Sequence, residues 1–173
     1  MLTPVERLAT KADGKQRELV ENQRGITYFG LFGPYLAGAK KIVVEDAYVR
    51  KPYQLRNLAE FLEMLLRCKN PDEDIAVHLV TGHNEPGFVE AQLDGLNELA
   101  STFSQLGVNL TYEFRDTLHD RSITADTGWE ILLGRGLDIF QKFVDGDWLN
   151  PLLRHQQLRR VKECKVTYKR IDG

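Results

Sequence analysis

Apolar residues between Ile42 and Phe114 recur with two alternating periods. "KIVVEDAYV" (41–49), "DIAVHLVTG" (74–82) and "VNLTYEFRD" (108–116) are short runs rich in β-branched and aromatic residues, the composition of strands. "PYQLRNLAEFLEMLLRC" (52–68) sets Leu55, Leu58, Phe61, Leu62, Leu65 and Leu66 on one helical face behind Pro52 at a first-turn position. "PGFVEAQLDGLNELASTFSQLG" (86–107) predicts a second helix stopped by Gly107. Strand, helix, strand, helix, strand implies crossover connections and a parallel sheet.

Outside this stretch the pattern weakens. Residues 3–23 predict a sparse helix with Thr3 as N-cap and Pro4 in the first turn, interrupted at Asp13-Gly14. In "ITYFGLFGPYLAGAKK" (26–41) the apolar spacing is helical, but Gly30 and Gly33-Pro34 predict broken helical turns. "DRSIT" and "GWEILL" predict strands joined by a hairpin at Ala125-Asp126-Thr127-Gly128, and "GLDIFQKF" (136–143) a short helix. "LLRHQQLRR" predicts a further helix and "KECKVTYKRI" a last strand. The expected fold class is α/β, a mixed, largely parallel sheet flanked by helices. The expected division is a helical lead-in or linker over 1–24 and the compact domain over 25–173.

Composition narrows the chemistry. In 173 residues, 42% hydrophobic and 28% charged, a net charge of −2 supplies no global field for a polyanion, so such binding needs a local basic patch. One candidate runs from Arg154 to Arg170, where Arg154, Arg159, Arg160, Lys162, Lys165, Lys169 and Arg170 face only Glu163. If these line one open face, phosphate or lipid binding gains; if they are scattered, it loses. Cys68 and Cys164 form no metal-binding spacing, so no metal and no cofactor is expected. The N-terminal residues have no apolar signal core and no stretch has the length of a membrane span, which leads to a cytoplasmic expectation.

The chemistry-bearing residues concentrate in "LHDRSITADTGWEILLGRGLDIF" (118–140). His119, Arg121 and Asp126 spell His-x-Arg-x4-Asp, followed by Gly134, Arg135 and Asp138 as Gly-Arg-x-x-Asp. This resembles the phospholipase D superfamily signature His-x-Lys-x4-Asp with Gly-Ser-x-x-Asn. The resemblance implies a nucleophilic histidine, with the lysine and the Ser/Asn pair holding phosphate oxygens; a strand would put His and Lys two residues apart on one face. Here Arg121, Arg135 and Asp138 replace lysine, serine and asparagine, and the chain carries one such motif where the reaction needs two. The expectation is a degenerate site without catalytic residues. Its alternative is a dimeric phosphodiesterase or nuclease using His119, Arg121 and Asp126 from two chains.

Together with "EDAYVR" (45–50) and "LFGPYLAGAKKIVV", this stretch is similar to the phospholipase D-like domain at the C-terminus of MIT-domain-containing proteins, across about residues 25–170. That resemblance implies a binding and assembly module that forms a homodimer. It also implies a phosphate-bearing ligand, either an acidic membrane lipid or a nucleic acid. A second resemblance, carried by Glu21-Asn22-Gln23, Gly25 and "LFGPYL", is to the C-terminal region of bacterial Lon-like AAA+ ATPases, implying an attached ATPase or other upstream domain. Glu45, Asp46, Tyr48 and Arg50 are expected at one sheet edge with the His119 motif, the acids pairing with Arg121 or Arg135. Asp138 is expected to pair with the same arginines. His83 reads as a loop residue, Trp129 as core and Trp148 as a contact-surface candidate.

Overall fold

The structure, a computed structural model, describes residues 1–142 and 149–171. Trp148 therefore lies outside the described residues. A seven-stranded sheet in the order β1-β7-β6-β5-β2-β3-β4 organises the chain. Its strands are β1 Gln16–Leu19, β2 Lys41–Glu45, β3 Ile75–Thr81, β4 Val108–Phe114, β5 Ser122–Ala125, β6 Trp129–Leu133 and β7 Cys164–Arg170. The helices are α1 Pro4–Ala9, α2 Tyr28–Leu36, α3 Pro52–Leu65, α4 Val89–Ser104 and α5 Pro151–Arg154, followed by a 3-10 turn at Gln156–Leu158.

The expected mixed α/β sheet is found. β2, β3 and β4 are parallel, joined by the α3 and α4 crossovers, while β5, β6, β7 and β1 join antiparallel. Because β2, β3 and β4 step one way across the sheet through crossovers of one hand, α3 and α4 fall on the same face. Ile42, Val44, Val77, Leu79, Ile123, Ile131, Val166 and Tyr168 point to that face and form the core with Phe32, Phe61 and Leu62. Among the described residues the opposite face carries no helix. It presents Lys41, Val43 and Glu45, then Ser122, Thr124, Glu130 and Leu132, then Lys165, Thr167 and Lys169.

Four local expectations change, the first being "LLRHQQLRR", which is helical only over Pro151–Arg154 and then makes a 3-10 turn at Gln156–Leu158. The lead-in is helical only over Pro4–Ala9, because Gln16–Leu19 instead satisfies the free edge of β7, with Leu19 buried. α2 runs unbroken through Pro34. The proline costs about 3 kcal/mol in a helix interior, but burial of Tyr28, Leu31, Phe32, Tyr35 and Leu36 contributes roughly 1.5–3 kcal/mol for each large side chain, so packing wins. Thr27 caps the helix by accepting from Gly30 N at 2.9 Å. The "GLDIF" segment is not a helix: Gly136 has φ +64° and Phe140 bridges to Val161.

The long segment after β6 is fastened by a buried charge. Arg159 is 4% exposed and its guanidinium pairs with Glu60 of α3, which also accepts from Gln156 at 2.8 Å and lies 3.4 Å from Arg56. With the Arg159 side chain 3% and the Glu60 side chain 14% exposed, little water shares these charges. Trp129 is core, packed edge-on to Tyr35 at 5.0 Å, and Tyr35 stacks on Tyr168 at 3.9 Å. No helix among the described residues is long and apolar enough to cross a membrane.

Glu60→Ala removes the carboxylate that pairs with buried Arg159 and with Arg56. It should destabilise the fold by about 3–5 kcal/mol, measured by urea unfolding, whereas Glu63→Ala on the same helix should cost under about 1 kcal/mol.

Candidate functional site

Asp46 follows β2 directly at the carboxyl edge of the parallel strands and is 2% exposed. Its own N–H donates to Val80 O at 3.0 Å, and one carboxylate oxygen accepts from Tyr48 N at 3.0 Å, closing an Asx-type turn. The other oxygen accepts from Leu137 N at 3.0 Å. Leu137 is held from the far side as well, since the Tyr28 hydroxyl donates to its carbonyl. A Cβ on Gly136 would overlap the Asp46 carboxylate, and the positive φ there disfavours any side chain. The "EDAY" turn and the "GRGLD" loop are thus one interlocked unit. Burial pushes the Asp46 carboxyl above its ordinary range, against the two N–H bonds and the charge of Arg121, while Asp138 adds to the rise.

The two motifs meet as expected, but their side chains do not pair as expected. Arg121 donates to Gly134 O at 3.2 Å and sits over the Tyr48 ring at 4.9 Å; Arg50 sits over the same ring at 4.8 Å. Arg135 donates to Glu163 O at 2.8 Å, and Asp138 pairs with Lys162 at 3.2 Å. Neither arginine forms an ion pair with Glu45, Asp46 or Asp138 among the described residues. The reason is local: Gly134 of the tight loop turns its carbonyl toward Arg121, and the segment just before β7 offers the Glu163 carbonyl to Arg135 and brings Lys162 to Asp138. Asp126 lies at the opposite end of β5 in the hairpin turn, accepting from Lys40 N at 3.0 Å. His119 precedes β5 rather than lying on it, is exposed, and has no hydrogen-bond partner among the described residues.

His119, Arg121 and Glu45 border an open trough of about 760 Å³ that continues along the bare sheet face. Ser122, Thr124, Leu132 and Thr167 line it, and its charges balance: Glu45, Asp120 and Glu130 against Arg121, Lys165 and Lys169. The basic C-terminal segment is divided. Arg159 is buried with Glu60, Lys162 pairs with Asp138, and Arg170 lies over Trp129 at 5.0 Å on the helix side. Only Lys165 and Lys169 of that segment line the trough, so the run is not one cationic face. No group of three or more His, Cys, Asp or Glu side chains able to hold a metal occurs among the described residues.

Several positioning residues escaped the sequence reading. Thr81, fully buried, accepts from Val49 N at 3.1 Å. Gln54 accepts from Arg50 N and Lys51 N at 3.1 and 3.0 Å. Gln92 of α4, 1% exposed, donates to Val49 O and Gly82 O at 3.0 and 2.9 Å. The available signal was Gln92 four residues before Leu96, a polar residue on an otherwise apolar helix face.

One mixed seven-stranded sheet with its helices on one face is consistent with a phospholipase D-like domain. The family model described as the phospholipase D-like domain at the C-terminus of MIT matches residues 25–170, and the chain belongs to that family. It is similar to mouse MIT domain-containing protein 1, 38% identical over 136 residues that cover 76% of this chain. That alignment covers 54% of the relative, so the chain spans about half the length of the curated protein it matches.

Two outcomes test the interlock. Gly136→Ala should destabilise by about 2 kcal/mol or more, through strain at positive φ and displacement of Asp46, in a thermal or urea melt. Asp46 also gives a pH signature. Its raised folded-state value makes its contribution to stability complete below the ordinary 3.8 and progressively lost as pH rises through the raised value. The stability of wild type relative to Asp46→Asn should therefore fall from pH 3.5 toward neutrality. A flat difference would contradict a desolvated carboxyl.

Proposed function

We propose that this chain is a non-catalytic phospholipase D-like binding and assembly module, with a degenerate His-x-Lys-x4-Asp site, working as part of a larger protein. The observation that carries this reading is the dispersal of the motif's groups. Phosphodiester displacement by histidine needs an oriented imidazole and donors converging on one phosphoryl group. Among the described residues His119 is exposed without an orienting partner, Arg121 and Arg135 bond the carbonyls of Gly134 and Glu163, and Asp126 lies at the other end of β5. An activity needing these groups together would first have to dismantle bonds that hold the loop.

The trough supports self-assembly better than capture of a polyanion. Its three acids and three bases leave no excess positive charge for phosphate chains, whereas a two-fold contact requires one patch to complement itself. A homodimer packed trough to trough would cover the bare sheet face and bury Leu132. The second reading, a phosphodiesterase assembled from two chains, is favoured by one fact: the unengaged His119 ring borders this same surface. The likeness of Glu21-Asn22-Gln23 and Gly25 to Lon-like AAA+ proteins supports an attached ATPase as one larger context, and the MIT relative supports another.

The chain should not hydrolyse bis(p-nitrophenyl) phosphate or DNA, and should sediment as a dimer that Leu132→Arg converts to monomer. Hydrolysis abolished by His119→Ala would establish the second reading. A wild-type monomer at 100 μM, about the upper end of ordinary assay concentrations, would remove the assembly reading.

A further inference from the structure

His83 has the held geometry that His119 lacks. It follows β3, and its Nδ1 lies 2.9 Å from one oxygen of Asp116, while its backbone N–H donates to the other oxygen at 2.8 Å. Its ring stacks on Phe114 with centroids 4.1 Å apart and planes 22° off parallel. Carboxylate on one nitrogen and aromatic contact on one face fix the ring, leaving Nε2 as its unengaged polar atom among the described residues.

Arg50 stands beside it. Its Nε donates to Ala47 O at 2.7 Å, its guanidinium lies over the Tyr48 ring, and its terminal nitrogens have no hydrogen-bond partner among the described residues. The guanidinium lies so close to Gly82 that a Cβ there would sit 2.5 Å from Nη2. Gly82 is thus the residue that lets an arginine from the β2 loop reach the β3 loop. The two loops are stapled together. Gln92 bonds Val49 O, Gly82 O and Asn84 N, and Asn84 donates to Arg50 O at 3.3 Å. The positive charge of Arg50 and both bonds from His83 act on Asp116, holding its carboxyl below the ordinary range, with the His83 backbone bond the largest cause.

We propose that Arg50 and His83, oriented by Asp116, form a binding site for a phosphate group at the carboxyl ends of β2 and β3, distinct from the His119 motif. Two guanidinium nitrogens and one imidazole nitrogen offer three donor positions from separate loops. A carboxylate has only two oxygens, which the guanidinium fork alone would occupy; a phosphate has oxygens left for the imidazole. Nε2 donates to a phosphate oxygen when the ring is protonated and accepts from a protonated phosphate oxygen when it is neutral. Binding requires no bond to break, so it stands whether or not His119 has chemistry.

Titration of the full chain with inorganic phosphate, followed by amide and imidazole NMR, tests this. The expected shifts centre on Gly82, His83 and Asn84 and saturate. Affinity should fall tenfold or more in Arg50→Gln and in His83→Gln, and remain in His78→Gln on the open sheet face. Gly82→Ala displaces the far end of the Arg50 side chain and presses on the Ala47 carbonyl, which a Cβ would approach to 3.1 Å, and it should lose affinity. Parallel arms use glycerol 3-phosphate and vesicles of phosphatidic acid in phosphatidylcholine. Binding of the soluble phosphates alone supports the site and names a small phosphoester; binding of all three supports it and admits a lipid headgroup. Vesicle binding without phosphate binding, absence of shifts at Gly82–Asn84, or affinity that survives Arg50→Gln overturns it.

Discussion

The bond from Leu137 N–H to the buried Asp46 carboxylate joins two parts of the chain that are ninety-one positions apart. The geometry around it follows from that single constraint. A carboxylate taken out of water must have its oxygens satisfied, and Tyr48 N–H and Leu137 N–H do so. Once Leu137 is committed, "GLDIF" cannot place that amide in a helical ladder, Gly136 must remain without a side chain, and the Gly134 carbonyl accepts from Arg121. Tyr28, buried in the aromatic cluster with Phe32, Phe61 and Phe140, closes the other side of Leu137. The motif and the core are therefore a single packing problem.

A second constraint follows from the direction of the strand order. With both crossovers on one face, the sheet's other face remains a surface of alternating charged, hydroxylated and aliphatic side chains. Antiparallel strands tolerate such solvation; parallel strands ordinarily lie covered on both sides. The trough across β5, β6 and β7 carries as many acids as bases. That balance suits a self-complementary surface better than one that gathers polyanions.

The β2–α3–β3–α4–β4 succession and the Asp126-Thr127-Gly128 hairpin were legible because their periods and turn residues depend on nearest neighbours. The meeting of "EDAYVR" with "HDR" at one edge was also legible, through the rule that places loops after parallel strands together. β1 was not: Gln16–Leu19 has no strand pattern of its own and is a strand only because β7 offers an unpaired edge. Pro34 misled for a comparable reason, since the burial that outweighs its cost comes from distant residues. The pairings failed most instructively. Charges in sequence suggested Arg121 or Arg135 against Asp138, but the arginines found backbone carbonyls and Asp138 found Lys162. His83 read as a loop residue because nothing local marks it; its partner Asp116 arrives just beyond the neighbouring strand β4.

Membership in the phospholipase D-like family thus coexists with a motif whose side chains hold the fold. The direct measurement is hydrogen exchange at the Leu137 and Tyr48 amides in wild type and in Asp46→Ala. With Asp46 as the lock, both amides exchange in wild type only through global unfolding, and both lose protection together in the variant while amides of α3 keep theirs. Rapid exchange of Leu137 in wild type, or protection unchanged by Asp46→Ala, would contradict the account.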